Sequence, residues 1–143
     1  MKGPIQSVEV TYMVHATEDP KKLEAAVTGM LGVDVGPETE ELEGHFGNQI
    51  SKVRFHLTGD VAVRAFGNAM EKLPPPVKRG VLADLGPHID EHSALFLRFD
   101  KQALVSGSLS LASRDPVRMK VKPRIFLVKG GATHFFSQLI EGT

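Results

Sequence analysis

The chain has no cysteine, which removes disulfides, thiolate metal sites and cysteine nucleophiles together. It has no apolar run near the roughly 20 residues that a membrane-spanning helix needs, and its first residues lack the layout of a signal peptide. A cytoplasmic protein with no membrane association is therefore expected. Glycine occurs at 14 positions, yet never as G-x-G-x-x-G or a P-loop, so no loop is set to cradle a nucleotide phosphate. Ser106-Gly107-Ser108-Leu109 is the only G-x-S-like stretch, and it lacks the strand-to-helix elbow of a hydrolase nucleophile. No cofactor is implied and no catalytic constellation assembles. What remains is an ordinary globular composition, 41% apolar and 24% charged over 143 residues, enough for one domain with its own core.

Net charge is also lacking, with 17 Lys/Arg against 17 Asp/Glu, but the zero conceals a segregation. Residues 1–46 carry 3 Lys/Arg against 9 Asp/Glu, whereas residues 98–143 carry 8 against 3. The basic excess is concentrated where apolar and basic residues alternate from Val117 to Lys122. A strand sends successive side chains to opposite faces, so Val117, Met119 and Val121 point to a core. Arg118, Lys120 and Lys122 then form a cationic row on the other face. No acid lies between Asp115 and Glu141 to neutralise that row locally. A polyanion is the first partner such a row suggests.

The remaining pattern is mixed. Segment 5–16 alternates as a strand, with Val8, Val10, Tyr12 and Val14 on one side. A helix follows, capped by Asp19 with Pro20 at its first position and stopped by Gly32. An acidic segment, 38–43, leads through the turn 44–48 to a second strand, 50–57, on which Lys52, Arg54 and His56 share the polar phase. A second helix is read from an Asp60 cap, with Val63, Phe66, Met70 and Leu73 as its apolar stripe; Pro74-Pro75-Pro76 ends it. A short helix over 77–85, a strand over 94–100 carrying Phe96 and Arg98, a helical turn over 101–105 and a short strand over 108–112 follow. After the basic row, 124–128 is read as its continuation beyond a break at Pro123. The last helix covers 132–141. This order lacks regular βαβ alternation, so the expected fold is α+β: a mainly antiparallel sheet with helices packed on one face, in a single compact domain spanning 1–143.

Two motif matches lack the context their chemistry needs. His88-Ile89-Asp90-Glu91-His92 fits H-x-x-E-H, but that zinc motif requires a helix, and here Gly86-Pro87 precedes it and a strand follows. A surface turn is the reading, with no metal expected. Gly44-His45-Phe46-Gly47 matches the G-x-x-G of KH domains, which joins two helices; here it joins strand-like segments, so a tight turn is the reading.

The basic positions form a more coherent set. Lys52, Arg54, Arg98, Arg118, Lys120 and Lys122 all occupy the polar phase of separate strands, and a shared sheet would bring them to one open face. Phe96 sits in that phase too, where its ring could stack on an unpaired base. Lys101 would extend the patch. Phosphates on Lys/Arg and bases on aromatics are how single-stranded RNA is commonly held. A solvated face on which Glu41 and Glu43 pair with these cations is the plainer alternative.

Val14-His15-Ala16-Thr17-Glu18-Asp19-Pro20, Glu43-Gly44-His45-Phe46-Gly47-Asn48, Leu97-Arg98-Phe99-Asp100-Lys101-Gln102 and Asp115-Pro116-Val117-Arg118-Met119-Lys120 stand in an order and spacing that resembles a small archaeal family of RNA-binding proteins, described as predicted exosome subunits. The resemblance covers residues 5–122; the tail 123–143 matches less well. It implies an α+β fold similar to a ribosomal protein that binds the small rRNA of the large subunit. It also implies RNA as partner, with a non-enzymatic role near RNA processing or degradation or in ribosome-related assemblies, and supplies no catalytic residue. The alternative function is a protein-interaction subunit that assembles through its acidic (38–43) and basic (114–124) surfaces.

Overall fold

Five strands pair antiparallel throughout, in the order β2-β3-β1-β5-β4. They are β1 (Ile5–His15), β2 (Glu38–Glu43), β3 (Gln49–Thr58), β4 (Leu95–Phe99) and β5 (Val117–Pro123). The computed structural model describes residues 3–44, 47–125, 127 and 130–143. The fold is α+β. Helices α1 (Pro20–Leu31), α2 (Gly59–Lys72), α3 (Pro75–Ala83), α4 (Lys101–Val105) and α5 (Gly131–Glu141) complete it.

The period-2 pattern has its physical counterpart in the core. Val8, Val10, Tyr12, Val53, Phe55, Leu57, Leu95, Leu97, Phe99, Val117, Met119 and Val121 are all buried. They join one apolar cluster with the buried stripes of α1, α2 and α5, including Val27, Phe66, Met70, Phe136 and Ile140. Each buried side chain of this size contributes about 1.5–3 kcal/mol. With one phase of the sheet committed to the helices, the other phase stays uncovered.

Local chemistry sets the helix ends. The Asp19 carboxylate accepts from the Lys21 and Lys22 amides at 3.0 and 3.4 Å, as expected for that cap. Gly32 terminates α1 at φ 62°; a Cβ there would lie 2.6 Å from Asn68 Nδ2, which itself donates to the Leu31 carbonyl at 2.9 Å. Asp60 is not the cap of α2. The helix starts at Gly59 with Thr58 outside it, so Asp60 lies within the first turn, where its charge meets the positive end of the helix dipole.

The expected strand at 108–112 reduces to one bridge, Phe99 to Leu111. Beyond Gly107, which takes φ 89°, residues 110–112 touch the rim of β4, the Ser110 carbonyl accepting from the Asp100 amide and the Ala112 amide donating to the Arg98 carbonyl, each at 2.9 Å. The expected continuation past Pro123 is not a strand among the described residues: the Arg124 amide still donates to the Pro4 carbonyl at 2.9 Å, but Arg124 and Ile125 form a bend, and Phe126 and Val128 lie outside the described residues.

Tyr12, the chain's single tyrosine, is buried with its ring centroid 6.5 Å from that of Phe55. Among the described residues its hydroxyl has no hydrogen-bond partner. Burial pushes the phenol well above its ordinary value of about 10, and the nearby Glu24 charge adds to this. A raised folded-state value means stability is intact below about pH 10 and falls as the unfolded chain begins to lose its proton above it. In an alkaline titration, phenolate absorbance should therefore appear together with unfolding. Ionisation near pH 10 in a protein with native circular dichroism would contradict this burial.

Candidate RNA-binding surface

Register turns the alternation of single strands into a two-dimensional pattern. Thr11 pairs with Arg54 on one side and Arg118 on the other, and Arg118 pairs with Arg98. One residue row further, Glu9 lies between His56 and Lys120, and Lys120 faces Phe96. Ser7 pairs with Lys122, and Met13 with Lys52. All six strand cations and Phe96 thus occupy the phase opposite the core, on β3, β5 and β4, with β1 between β3 and β5.

The acids on this face are few. Glu38 and Glu40 of β2 stand opposite Arg54 and Lys52, and Glu9 lies near the centre, giving three carboxylates against six cations. Opposite charges directly across a sheet contribute about 0.2–1 kcal/mol each, which accounts for a strand as acidic as β2 settling against β3. The expected neutralising pair, Glu41 and Glu43, is in the other phase. Glu41 accepts instead from the Ser51 hydroxyl at 2.9 and 3.0 Å. Arg54 is paired, its Nη2 3.1 Å from the Glu9 carboxylate, which also lies 3.7 Å from His56 Nδ1. Among the described residues, Lys52, Arg98, Arg118, Lys120 and Lys122 form no ion pair.

Phe96 is the hub of the uncompensated cations. Its ring centroid lies 5.9 Å from the Arg98 guanidinium, 5.4 Å from that of Arg118 and 5.5 Å from the Lys120 ammonium. Each contact at an exposed site is worth about 0.5–1 kcal/mol. Three like charges are gathered around one half-buried ring, so an anion placed beside the ring meets several of them at once.

Lys101 does not extend this patch. Its side chain is only 9% exposed, and its ammonium lies 2.8 Å from Asp115 Oδ2 and 3.1 Å from Glu18 Oε1, with the Met13 carbonyl as a further acceptor. His15 Nε2 completes the group, 3.0 Å from Asp115 Oδ2, and the His15 amide donates to Glu18 at 2.9 Å. The partner of His15 is 100 positions away, so nothing local in the sequence announces it. His15, Glu18 and Asp115 bring ligand atoms within 4.8 Å of one another, the one such group among the described residues. The Lys101 ammonium is the cation that this group holds. It ties the end of β1 and the entry to α1 to the turn that opens β5, where Asp115 takes φ 44°.

The two motif matches fall as their context implied. His88 closes a 3-10 turn, Gly86–His88, and Asp90 Oδ1 accepts from the His92 and Ala94 amides, each at 2.9 Å. The two histidines share no helix. In the G-x-x-G stretch, Gly47 takes φ 78° and its amide donates to the Gly44 carbonyl at 3.1 Å; His45 and Phe46 lie outside the described residues.

Fold and surface together define an α+β domain with helices on one side of an antiparallel sheet and a basic, aromatic-bearing face on the other. A family model described as RNA binding matches residues 7–123, and the chain belongs to that family. An RNA-binding protein of Pyrococcus abyssi is 28% identical over 138 residues, covering 90% of both chains. A protein of Methanocaldococcus jannaschii is 25% identical over 120 residues, 79% of this chain and 80% of its own. Among solved structures, a DUF54 protein from Methanothermobacter thermautotrophicus superposes with a TM-score of 0.79 at 30% identity, covering 96% of this chain and 99% of its own.

Proposed function

We propose that this chain is a non-enzymatic RNA-binding module that holds RNA across the uncovered face of its sheet. Lys52, Arg54, Arg98, Arg118, Lys120 and Lys122 take phosphates, and Phe96 offers a surface for a base. The observation that carries this reading is the set of five cations without ion-pair partners on the open face, three of them gathered around the half-buried Phe96 ring. Charge neutralised by nothing in its own fold is available to a polyanion, and phosphate contacts supply most of the affinity in such complexes. Membership of an RNA-binding family supports it. We place the protein as an accessory to RNA processing or degradation, of the exosome type, or to ribosome-related assembly.

Salt dependence is the direct test. Each neutralised phosphate on a single strand contributes a slope of about −0.7 in log affinity against log salt, so six contacts give about −4. Binding titrated between about 50 and 200 mM salt should weaken by roughly 300-fold. Affinity indifferent to salt would remove the physical basis of the reading.

A second reading rests on β2, whose glutamates are exposed on an outer strand. A partner with a basic surface, or the basic face of another copy, would meet that strand. A salt-sensitive oligomer seen by light scattering, without RNA affinity, would favour it.

A further inference from the structure

We infer, building on the RNA-binding reading above, that the open face ends in a pocket for the terminal phosphomonoester of an RNA strand. The pocket is a recess of about 410 Å³ where β1 begins, β5 ends and the turn before β4 closes over. Lys120, Lys122, Gln6 and His92 supply its polar groups, and Pro123 and Ile125 its apolar wall.

The chain builds this recess by a specific device. Ile5 pairs with Pro123 and Ser7 with Lys122, so Gln6 is an extra residue on β1 with no counterpart on β5. Such a bulge kinks the strand and re-aims a side chain. Here it restores Ile5 to the core, where it is fully buried, and leaves Gln6 exposed beside Lys122. Arg124 secures the floor: its Nε donates to the Gly3 carbonyl at 2.7 Å and Nη2 to the Ile5 carbonyl at 3.4 Å. The guanidinium is thereby committed to the backbone, while the two lysines remain free of ion pairs.

The charge density favours an end over an interior position. A phosphodiester carries one negative charge, whereas a terminal phosphomonoester carries about 1.5–2 near neutral pH and has three acceptor oxygens. Two ammonium groups, an amide and an imidazole converge here, and no carboxylate lines the recess. Glu91 reaches only the outer side of His92, 3.5 Å from Nε2, with both side chains more than four-fifths exposed. The chain path also closes the track at this point, since β5 ends at Pro123 and the chain bends at Arg124 and Ile125. Lys120 belongs to both the recess and the ring of cations around Phe96. A last nucleotide can therefore lay its base against Phe96 while its phosphate enters the recess.

Anisotropy titrations with one short single-stranded oligoribonucleotide test this, using three forms: both ends hydroxyl, a 5′-phosphate, and a 3′-phosphate. One phosphorylated form should bind at least about tenfold tighter than the hydroxyl form, the equivalent of a single strong charge-assisted contact. Which form gains identifies the end. In Gln6→Ala/Lys122→Gln, both exposed positions, that ratio should fall close to one. In Arg54→Gln, remote from the recess, all three forms should weaken together with the ratio kept. Equal binding of the three forms, or a preference that survives Gln6→Ala/Lys122→Gln, would overturn the pocket while leaving RNA binding standing. Failure of every form to bind would overturn RNA binding itself, and the pocket with it.

Discussion

Reversing Lys120 and Lys122 together to glutamate should lower RNA affinity by at least about a hundredfold at roughly 0.15 M salt. The change removes two phosphate contacts and places two anions on the path of the remaining four cations. The salt slope should fall in magnitude from about 4 to below 3, because fewer counterions are released. Lys120 faces Glu9 across β1 and β5, so the variant also sets like charges opposite each other. That costs less than about 1 kcal/mol in a sheet, and a native circular dichroism spectrum is expected. Affinity within about threefold of the parent, in a folded variant, would mean that RNA does not use this face.

Lys101→Met should be the most destabilising single change among the basic residues, at roughly 3 kcal/mol. Removing one partner from a buried ionic group strands the other charges, and the effect here falls at the lower end because Asp115 is 45% exposed and Glu18 26%. With a urea m-value of about 2 kcal/mol/M, the midpoint should drop by about 1.5 M. Lys122→Met, on the open face, should stay within about 0.5 kcal/mol of the parent. If Lys101→Met proved as silent as Lys122→Met, the group around Lys101 would not be holding the start of β5.

Much of this architecture was legible from alternation alone. The buried runs Val8, Val10, Tyr12 and Val14 of β1, Val53, Phe55 and Leu57 of β3, and Val117, Met119 and Val121 of β5 are apolar throughout, and burial of that phase decides everything that faces outward. The shared face of Lys52, Arg54, Arg98, Arg118, Lys120 and Lys122 follows from that. Register between strands was not legible. Whether Glu38 and Glu40, or Glu41 and Glu43, oppose the cations depends on a one-residue choice that the turn 44–48 makes. The bulge at Gln6 was equally hidden, because its cause is the pairing of Ile5 with Pro123, 118 positions away. Lys101 comes just after β4 and reads, as a lysine close to Arg98 in sequence, like one more surface cation. Its burial comes from Glu18 and Asp115, which only the closed sheet delivers. Sequence periodicity speaks for single elements; charges recruited from distant ones escape it.

The two margins of the sheet are treated differently. On the β4 side, segments 89–94 and 110–112 lean on the outermost strand through bridges at Ile89 and Leu111, occupying hydrogen-bonding groups that would otherwise template growth. The β2 margin is bare but carries Glu38, Glu40, Glu41 and Glu43. Two copies brought together there would set glutamate beside glutamate, a like-charge guard against fibre-forming contacts. Since the isoelectric point is near 7.0, overall repulsion does little to keep molecules apart at neutrality. At neutrality that guard falls to this one strand, and charge on β2 rather than charge on the whole molecule keeps its margin from pairing with a second copy.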